Sequence, residues 1–456
     1  MNVLIVSAIL GVVMLFSGVL LKQARIVRAM AILGMAGLFV INILEMSGGS
    51  FFNIHTYGMM RLDRFALLFN TVMLFSTLIY FILSAREMEK VGIHYGEYFA
   101  LIFFIVCGIV LVASFKSLLI LFLGIEIISI PLYILTGSDK KNLKSNEASL
   151  KYFLMGAFST GLMLMGIALI YGATGTFNAD HMSFAADKPG LLTVAGMMLL
   201  LFSMAFKVSA APFHFWTPDV YDGAPTVFTS FMATIVKAAV FIGFIRLFDE
   251  AFGSLGAQWQ TWIAVITVAT LFIGNITAVF QQSVKRMLAY SSIAQAGFML
   301  LAIYAMNTDA KEGILLYTAA YCLATIGIFA VLAKMSDYTF EGFNGMAKQQ
   351  PMIALLTTIF FLSLAGIPLT AGFLAKFYML KAALGSGGNL WVVVFAVLMA
   401  AVSAWYYFRV IQAMYFKDGQ ATIQASPFFK WTLVVLAAVV VLLGLFPNLL
   451  LYWYYF

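Results

Sequence analysis

The sequence consists largely of apolar runs of about 20 residues, the length that a helix needs to cross the hydrocarbon core of a bilayer. Of its 456 residues, 63% are hydrophobic and only 10% are charged, whereas soluble domains are about half apolar and about a quarter charged. The strict alternation over about 10 residues that is typical of a membrane β-barrel is absent. The sequence therefore predicts an all-α integral membrane protein.

We count fourteen such runs, and an even number places both termini on the same side of the membrane. The predicted spans cover residues 2–21, 27–45, 62–84, 97–114, 117–136, 149–173, 191–216, 225–248, 259–280, 286–306, 312–334, 352–382, 390–415 and 430–450. Fifteen lysines and arginines fall in loops on the side of Lys22, and seven fall on the opposite side. Since basic loops stay in the cytoplasm, the Lys22 side is predicted to be cytoplasmic.

Composition also excludes several classes of function. The net charge of +7 follows from the basic loops and does not indicate a nucleic-acid partner. Cys107 and Cys322 lie in separate spans without a CxxC pair, and the four histidines are scattered along the chain. We therefore expect no iron–sulfur cluster, no metal site and no other bound cofactor in this chain.

Two of the predicted spans contain residues that interrupt a helix. The seventh span contains Pro212, and the twelfth contains Gly366, Pro368 and Gly372. Non-helical backbone at membrane depth is tolerated only inside the protein or beside a water-filled cavity. These two breaks therefore mark candidate sites.

The breaks lie five spans apart, which suggests two five-helix units of inverted topology. We accordingly divide the chain into N-terminal helices 1–3, a first inverted repeat of helices 4–8, a second inverted repeat of helices 9–13 and a C-terminal helix 14. The corresponding residues are 1–96, 97–250, 251–418 and 419–456.

Four charged residues lie in the middle of apolar runs: Glu126, Lys207, Lys237 and Lys376. A charge at that depth costs roughly 2.5–3.5 kcal/mol even on the lenient insertion scales, which makes a functional role the first hypothesis. An ion pair between Glu126 and Lys207 would hold the lysine protonated, and weakening the pair would release the proton. The alternative is a static buried pair that ties two helices together.

Two further ionisable residues are candidates for proton transfer together with these four. His214 follows Lys207 by seven residues, which is two turns on one helical face if the helix continues past Pro212. It could relay protons, or it could be a hydrogen-bonded structural histidine. Lys151 lies near the cytoplasmic end of the sixth span, where its side chain could instead snorkel to the interface.

Five segments carry a resemblance to a known family. They are GIEIISIPLYIL, EASLKYFLMGAFSTG, FKVSAAPFHFWTPDVYDGAPT, NITAVFQQSVKRMLAYSSIA and LSLAGIPLTAGFLAKFY. These segments resemble the antiporter-like subunit N family of the bacterial proton-pumping NADH:quinone oxidoreductase, respiratory complex I. The resemblance covers spans four to thirteen.

The resemblance implies a proton-translocating subunit of the membrane arm in the bacterial inner membrane. NADH, FMN, iron–sulfur clusters and quinone would then be used by partner subunits, so this chain would perform no redox catalysis itself. Its partners would be a neighbouring antiporter-like subunit and small membrane-arm subunits.

The resemblance also assigns roles to individual residues. Glu126 matches the family's pairing glutamate and Lys207 the lysine that it pairs with. Lys237 matches the connecting lysine and Lys376 the lysine of the second half, while Lys151 and His214 match further positions of the proton path. The sequence departs from the family at Gln295, where members often have histidine. Because glutamine does not titrate, we expect any relay there to pass through Tyr290 or water.

Other functions remain open at this point. The chain could be a cation/proton antiporter subunit or a membrane subunit of a hydrogenase complex from the same superfamily. It could also be an independent secondary transporter for a solute. The absence of an intramembrane cluster of Asp and Asn residues counts against a sodium site.

Overall fold

The computed structural model describes residues 1–456 except 22, 50, 53, 185–188, 386, 388, 389, 422 and 456. Two basic residues of the loop comparison, Lys22 and Lys188, therefore lie outside the described residues. In the described part of the chain, all regular elements are helices, joined by short loops and a few isolated β-bridges.

The first nine helices form the N-terminal half of the molecule. They are α1 (Asn2–Leu20), α2 (Ala24–Met46), α3 (Arg64–Val91), α4 (Tyr95–Ser114), α5 (Leu118–Thr136), α6 (Leu143–Thr174), α7 (Leu191–Lys207), α8 (Trp216–Gly223) and α9 (Thr226–Ala251). Helix α9 contains two π-helical turns, Met232–Val236 and Leu247–Ala251.

Eight further α-helices of at least eight residues follow in the described part of the chain. They are α10 (Gly256–Val279), α11 (Val284–Ala305), α12 (Thr308–Leu332), α13 (Pro351–Ala365), α14 (Ala371–Gly385), α15 (Leu390–Phe416), α16 (Pro427–Leu445) and α17 (Asn448–Tyr455). A four-residue helix, Met346–Gln349, precedes α13.

The helix inventory confirms the predicted number of spans. Among the described residues, 12 helices are long and apolar enough to cross a membrane. Two shorter apolar helices, α7 and α13, each end at a non-helical link and are followed by α8 and α14, respectively. These two interrupted segments are the predicted seventh and twelfth spans, which brings the total to fourteen.

Helix boundaries follow signals that are visible in the sequence. The Asp63 side chain accepts the Ala66 N–H at the start of α3 with a distance of 2.8 Å, and the Asn307 side chain does the same for Ala310 in α12 at 2.9 Å. Such caps satisfy backbone donors that a helix start leaves free. Helix α6 ends at Gly175, whose φ of +70° is the left-handed conformation in which glycine is not strained.

The centre of the molecule is formed by helices that are buried on all sides. Helices α9 and α12 are fully buried along their apolar windows, and α11 is nearly so. Helices α1, α2, α6 and α16 instead expose most of their apolar surface, as expected for contact with lipid or another membrane subunit. A polar side chain on α9 or α11 therefore lies far from the outer surface of the bundle.

Charged residues outside the centre form two groups, one at each end of the bundle. The group on the Lys22 side includes the pair Arg28–Glu89, at 2.7 Å, and the pair Lys334–Glu87, at 2.6 Å. The opposite group includes Lys116, which pairs with Asp180 at 2.6 Å, and its hydrogen bond lowers the pKa of the Asp180 carboxyl. These pairs join helix ends and loops that the sequence places on the same side of the membrane.

Candidate functional site

Glu126 and Lys207 form an ion pair inside the bundle, where helices α5, α6 and α7 meet. The Lys207 Nζ lies 3.8 Å from Glu126 Oε1. The Thr160 hydroxyl stands between them, since it donates to Glu126 Oε1 at 2.7 Å and lies 3.3 Å from Lys207 Nζ. Lys207 also donates to Ser129 Oγ at 3.0 Å. The pair is therefore loose enough for a hydroxyl group to link its two charges.

Sequence reasoning predicted this pair but missed both hydroxyl partners. Ser129 follows Glu126 by three residues on α5, a spacing that places both side chains on one helical face. That signal could have identified Ser129. Thr160 belongs to another helix, and nothing in its local sequence indicates that it faces Glu126.

The seventh span breaks directly after Lys207. Helix α7 ends at that residue, and residues 208–215 are non-helical before α8 begins at Trp216. Since the negative end of a helix dipole favours a cation by typically 0.3–1 kcal/mol, the end of α7 stabilises the Lys207 ammonium. Side chains satisfy part of the freed backbone: Thr270 Oγ1 accepts the Ala211 N–H at 2.9 Å.

His214 lies in this non-helical link, so the condition for placing it two turns along one helical face is not met. The helix does not continue past Lys207, and the expected alignment of His214 with that residue is wrong. The imidazole is 5% exposed, and its Nδ1 has no hydrogen-bond partner among the described residues. A role for His214 in proton transfer stays a prediction.

Lys237 lies in the centre of the bundle, immediately after the first π-helical turn of α9. It is 2% exposed. Its Nζ donates to the Ser292 carbonyl oxygen at 3.0 Å and also contacts the Ser292 hydroxyl, while the Tyr221 ring centroid lies 5.8 Å away. Within the described chain, no carboxylate lies within ion-pair distance of this ammonium. The lysine is therefore held by dipoles and an aromatic face alone.

Lys376 occupies a similar environment at the break of the twelfth span. It lies on α14 and reaches back to the last turn of α13, where its Nζ donates to the carbonyls of Leu364 at 2.9 Å and Ala365 at 3.0 Å. The Phe298 ring centroid lies 4.8 Å from the same atom. As for Lys237, the described residues provide no carboxylate partner.

A polar cluster around Gln295 occupies the space between these two lysines. Gln295 Nε2 donates to the Leu364 carbonyl that also binds Lys376, and to the Tyr407 hydroxyl, both at 3.1 Å. The Tyr407 hydroxyl in turn lies 2.5 Å from Ser291 Oγ, one residue before the Ser292 that binds Lys237. Tyr317 donates to Gln295 Oε1. The partners of Gln295 are thus tyrosines that sequence reasoning did not identify.

Lys151 lies apart from the buried row. Its side chain is 43% exposed, and its Nζ pairs with Glu147 at 2.8 Å and with Asp219 at 3.0 Å. Asp219 also pairs with Arg286 at 3.1 Å. The structure therefore brings Glu126 and Lys207 together and places Lys237 and Lys376 at the two sides of the Gln295 cluster, while Lys151 lies at the end of the bundle.

The described residues contain no group of three or more His, Cys, Asp or Glu side chains that could hold a metal ion.

Comparisons with known proteins show the family to which the chain is related. Residues 115–403 match the model of the family described as NADH:quinone oxidoreductase/Mrp antiporter, TM. The chain is 40% identical to NADH-quinone oxidoreductase subunit N of Cytophaga hutchinsonii over 461 aligned residues, which cover 99% of both chains. It is also 40% identical to subunit N of Trichlorobacter lovleyi, with 86% of this chain and 82% of the relative covered.

Solved structures of related membrane subunits have the same fold as this chain. A chain of respiratory complex I from Thermus thermophilus with bound Aureothin is 32% identical, with a TM-score of 0.85 and 98% of each chain covered. A chain of the archaeal membrane-bound sulfane sulfur reductase has a TM-score of 0.89 at 24% identity, with 100% of this chain and 96% of that chain covered, and therefore shows the fold alone. From the family model and the full-length relatives together, the chain belongs to the NADH:quinone oxidoreductase/Mrp antiporter family of membrane subunits.

Proposed function

We propose that this chain is a proton-translocating membrane-arm subunit of a bacterial NADH:quinone oxidoreductase. The observation that carries the proposal is a row of four ionisable residues inside the membrane-spanning helices, Glu126, Lys207, Lys237 and Lys376, of which the three lysines are buried and Glu126 is 20% exposed. Three of these are lysines that are 9%, 2% and 6% exposed. Buried ionisable groups in membrane segments are expensive, and they mark proton or ion pathways more often than static contacts.

The first step takes place at the Glu126–Lys207 pair. While Glu126 is ionised and close, its charge favours the protonated lysine. A change in the potential at Glu126, produced elsewhere in the complex, weakens that preference. Thr160 supports such a step. Its hydroxyl already contacts both Glu126 and Lys207, and it can stay hydrogen-bonded to one of them when the two move apart.

The later steps pass a proton along Lys237 and Lys376. Neither ammonium has a carboxylate partner among the residues that the structure describes, so a buried lysine there can exist in the neutral form. The Gln295 amide cannot titrate, and the hydroxyls of Tyr317, Tyr407 and Ser291 therefore carry the relay between the lysines together with water. A small cavity lined by Gln295, Tyr317 and Lys376 is located where such a water is needed.

His214 and Lys151 complete the proposed set. The free Nδ1 of His214 gives the first break a group that can accept a proton. Lys151, partly exposed at the end that the loop charges assign to the cytoplasm, lies where protons enter. Transport would then run from the cytoplasm to the periplasm.

The energy would come from quinone reduction in partner subunits. NADH, FMN, iron–sulfur clusters and quinone would be bound there, and this chain would contribute no redox chemistry of its own. We further propose that it is a multi-pass protein of the bacterial inner membrane, in contact with a neighbouring antiporter-like subunit and with small membrane-arm subunits. The exposed apolar helices of the bundle offer surface for such neighbours.

The test is proton pumping by the assembled complex that carries Lys207→Ala. In inverted vesicles with NADH as the reductant, we expect the variant to assemble but to lose most of its proton pumping. Lys417→Ala, in an exposed loop, is the matched control and should pump normally. Normal pumping by the Lys207 variant would show that Lys207 is not needed for proton translocation, and the proposed function would then be wrong.

A second candidate is a subunit of a cation/proton antiporter. The fold supports it, since a chain of the Mrp complex from a Dietzia species has a TM-score of 0.86, at 19% identity and with 99% of this chain and 95% of that chain covered. The two candidates predict different results in vesicles without NADH. Exchange of sodium for protons in that assay would favour the antiporter, whereas pumping only with NADH favours the oxidoreductase.

A further inference from the structure

Helix α8 is a short helix that touches the surroundings of two buried lysines at once. At its start, the Trp216 Nε1 donates to the carbonyl of Phe206, the residue before Lys207, at 3.2 Å. Five residues later, the Tyr221 ring lies below the Lys237 ammonium at 5.8 Å. Any displacement of α8 therefore reaches both lysines together.

The position of α8 is set at the end of the bundle by Asp219. One carboxylate oxygen, Oδ2, accepts from Lys151 of α6 at 3.0 Å, and the other, Oδ1, accepts from Arg286 of α11 at 3.1 Å. Both oxygens are thus occupied, each by a helix of a different predicted repeat. We call these three residues, Lys151, Asp219 and Arg286, the α8 clamp.

Other contacts hold the two ends of the helix. The Trp216 ring stacks on Tyr152 of α6 with centroids 4.7 Å apart and planes at 9°. At the other end, Lys285 donates to the carbonyls of Asp222 at 2.9 Å and Ala224 at 2.7 Å. These contacts also tie α8 to α6 and to α11, so the clamp acts together with them to determine where α8 lies between the two helices.

We propose that Asp219 is a positioning residue that couples Lys207 to Lys237 through helix α8. This inference rests on the proposed proton translocation along the buried row. Arg286 and Ser292 lie on the same helix, α11, and Ser292 binds Lys237. The clamp therefore fixes α8 relative to the helix that supplies the Lys237 hydrogen bonds. Without the clamp, the remaining contacts of α8 with α11, which include those of Lys285, would transmit a smaller part of a change at Lys207 to Lys237.

The experiment measures protons translocated per electron by the assembled complex. For Asp219→Asn we expect normal assembly and electron transfer from NADH, with a ratio between that of the unmodified complex and that of Lys207→Ala. Asp219→Glu keeps the charge and should recover part of the loss. Asp222→Asn is the comparison variant on the same helix, because its carboxylate forms no ion pair within the described residues and interacts with Lys285 only at longer range, so its loss should be clearly smaller.

Arg286→Gln separates positioning from direct proton transfer. Arginine does not deprotonate in proteins, so a lowered ratio in this variant supports the clamp, and a normal ratio overturns it. The same variant decides the matter if Asp219→Asn does not assemble. A normal ratio for Asp219→Asn, or equal losses for Asp219→Asn and Asp222→Asn, would also overturn the inference. If Lys207→Ala pumps normally, it is the proposed function that fails.

Discussion

The two broken spans each hold a buried lysine, but they hold it in different ways. In the seventh span, Lys207 is the last residue of its half-helix and faces the Glu126 carboxylate at 3.8 Å. In the twelfth span, Lys376 lies beyond the break and reaches back to two carbonyls of α13. A carboxylate can change its charge or position, whereas the carbonyl dipoles of a helix end are fixed. In the proposed mechanism, the first break would therefore receive the signal and the second would respond to it.

The backbone differs between the breaks as well. The twelfth span bends at Gly366, whose φ is +83°, and at Leu369, with a φ of +73°. The link of the seventh span contains no glycine, and its left-handed residue is Ser209, with a φ of +64°. Left-handed backbone costs about 1–2 kcal/mol in a residue with a side chain. Ser209 at the first break and Leu369 at the second thus both carry such strain, and only the second break also has a glycine in this conformation.

The largest effect is expected from Gly372→Ala at the second break. A methyl group on Gly372 would lie 1.8 Å from the Ser363 carbonyl oxygen, so helix α14 could not approach α13 as it does. Overpacking of this kind typically costs about 1–3 kcal/mol and occasionally more. We expect a large loss of assembled complex on native gels and a lower unfolding temperature in detergent.

Gly172→Ala is the control for that prediction. A methyl group there meets no atom within 4 Å, and alanine is the better helix former by roughly 0.5–1 kcal/mol. The control should assemble normally. If both variants assembled equally well and unfolded at the same temperature, the close approach of α13 and α14 would not be needed for assembly or stability.

The next effect separates the two lysines by stability. Lys207→Met leaves Glu126 without its counter-charge, while Lys376→Met removes a charge that has no carboxylate partner in the described chain. Breaking a fully buried pair costs about 3–5 kcal/mol, and the effect here should be smaller, because the Glu126 side chain is 20% exposed. We expect Lys207→Met to lower the unfolding temperature and Lys376→Met to leave it unchanged or raise it. If Lys376→Met lowered the unfolding temperature more than Lys207→Met, the carboxylate would not be what distinguishes the two breaks.

The seventh and twelfth spans also show how far the sequence alone could lead. Their interruptions were predicted from proline and glycine in apolar runs, and the Glu126–Lys207 pair from the cost of burying each charge alone. Both arguments use local sequence, and the structure contains both features. Apolar runs of spanning length likewise predicted all fourteen spans, because length and composition decide whether a helix can cross the bilayer.

The hydrogen-bond partners of the charged and polar site residues could not be predicted from local sequence. Thr160 reaches Glu126 from another helix, and Gln295 meets Tyr407 across 112 residues of chain. Which hydroxyl faces which charge depends on how helices rotate against each other, and buried helices that are apolar on all sides carry no periodic signal for that rotation. The alignment of His214 failed for a related reason, since the course of the link after Lys207 is set by tertiary contacts.

A smaller effect is expected from Glu126→Gln. Glutamine keeps the shape of the side chain and can still accept the Thr160 hydrogen bond, but it removes the counter-charge of Lys207. Ser129 and the end of α7 remain to stabilise the ammonium. We therefore expect normal assembly with fewer protons per electron or slower turnover, measured as NADH-driven pumping in inverted vesicles. Glu126→Asp should be less impaired, and unchanged pumping in Glu126→Gln would reduce Glu126 to a packing residue.

The smallest effect is expected from Ser209→Gly at the first break. Glycine removes the left-handed strain, worth about 1–2 kcal/mol, and also a buried hydroxyl that has no hydrogen-bond partner in the described residues. The greater freedom of glycine in the unfolded chain offsets about 0.5–1 kcal/mol of this gain. The net result should be a slightly higher unfolding temperature in detergent. Gly366→Ala should have the opposite sign, since it adds a second strained residue to a break that already contains Leu369. If both variants were destabilised, contacts of the Ser209 side chain would outweigh its left-handed strain. The backbone conformation would then not explain how the two breaks differ in stability.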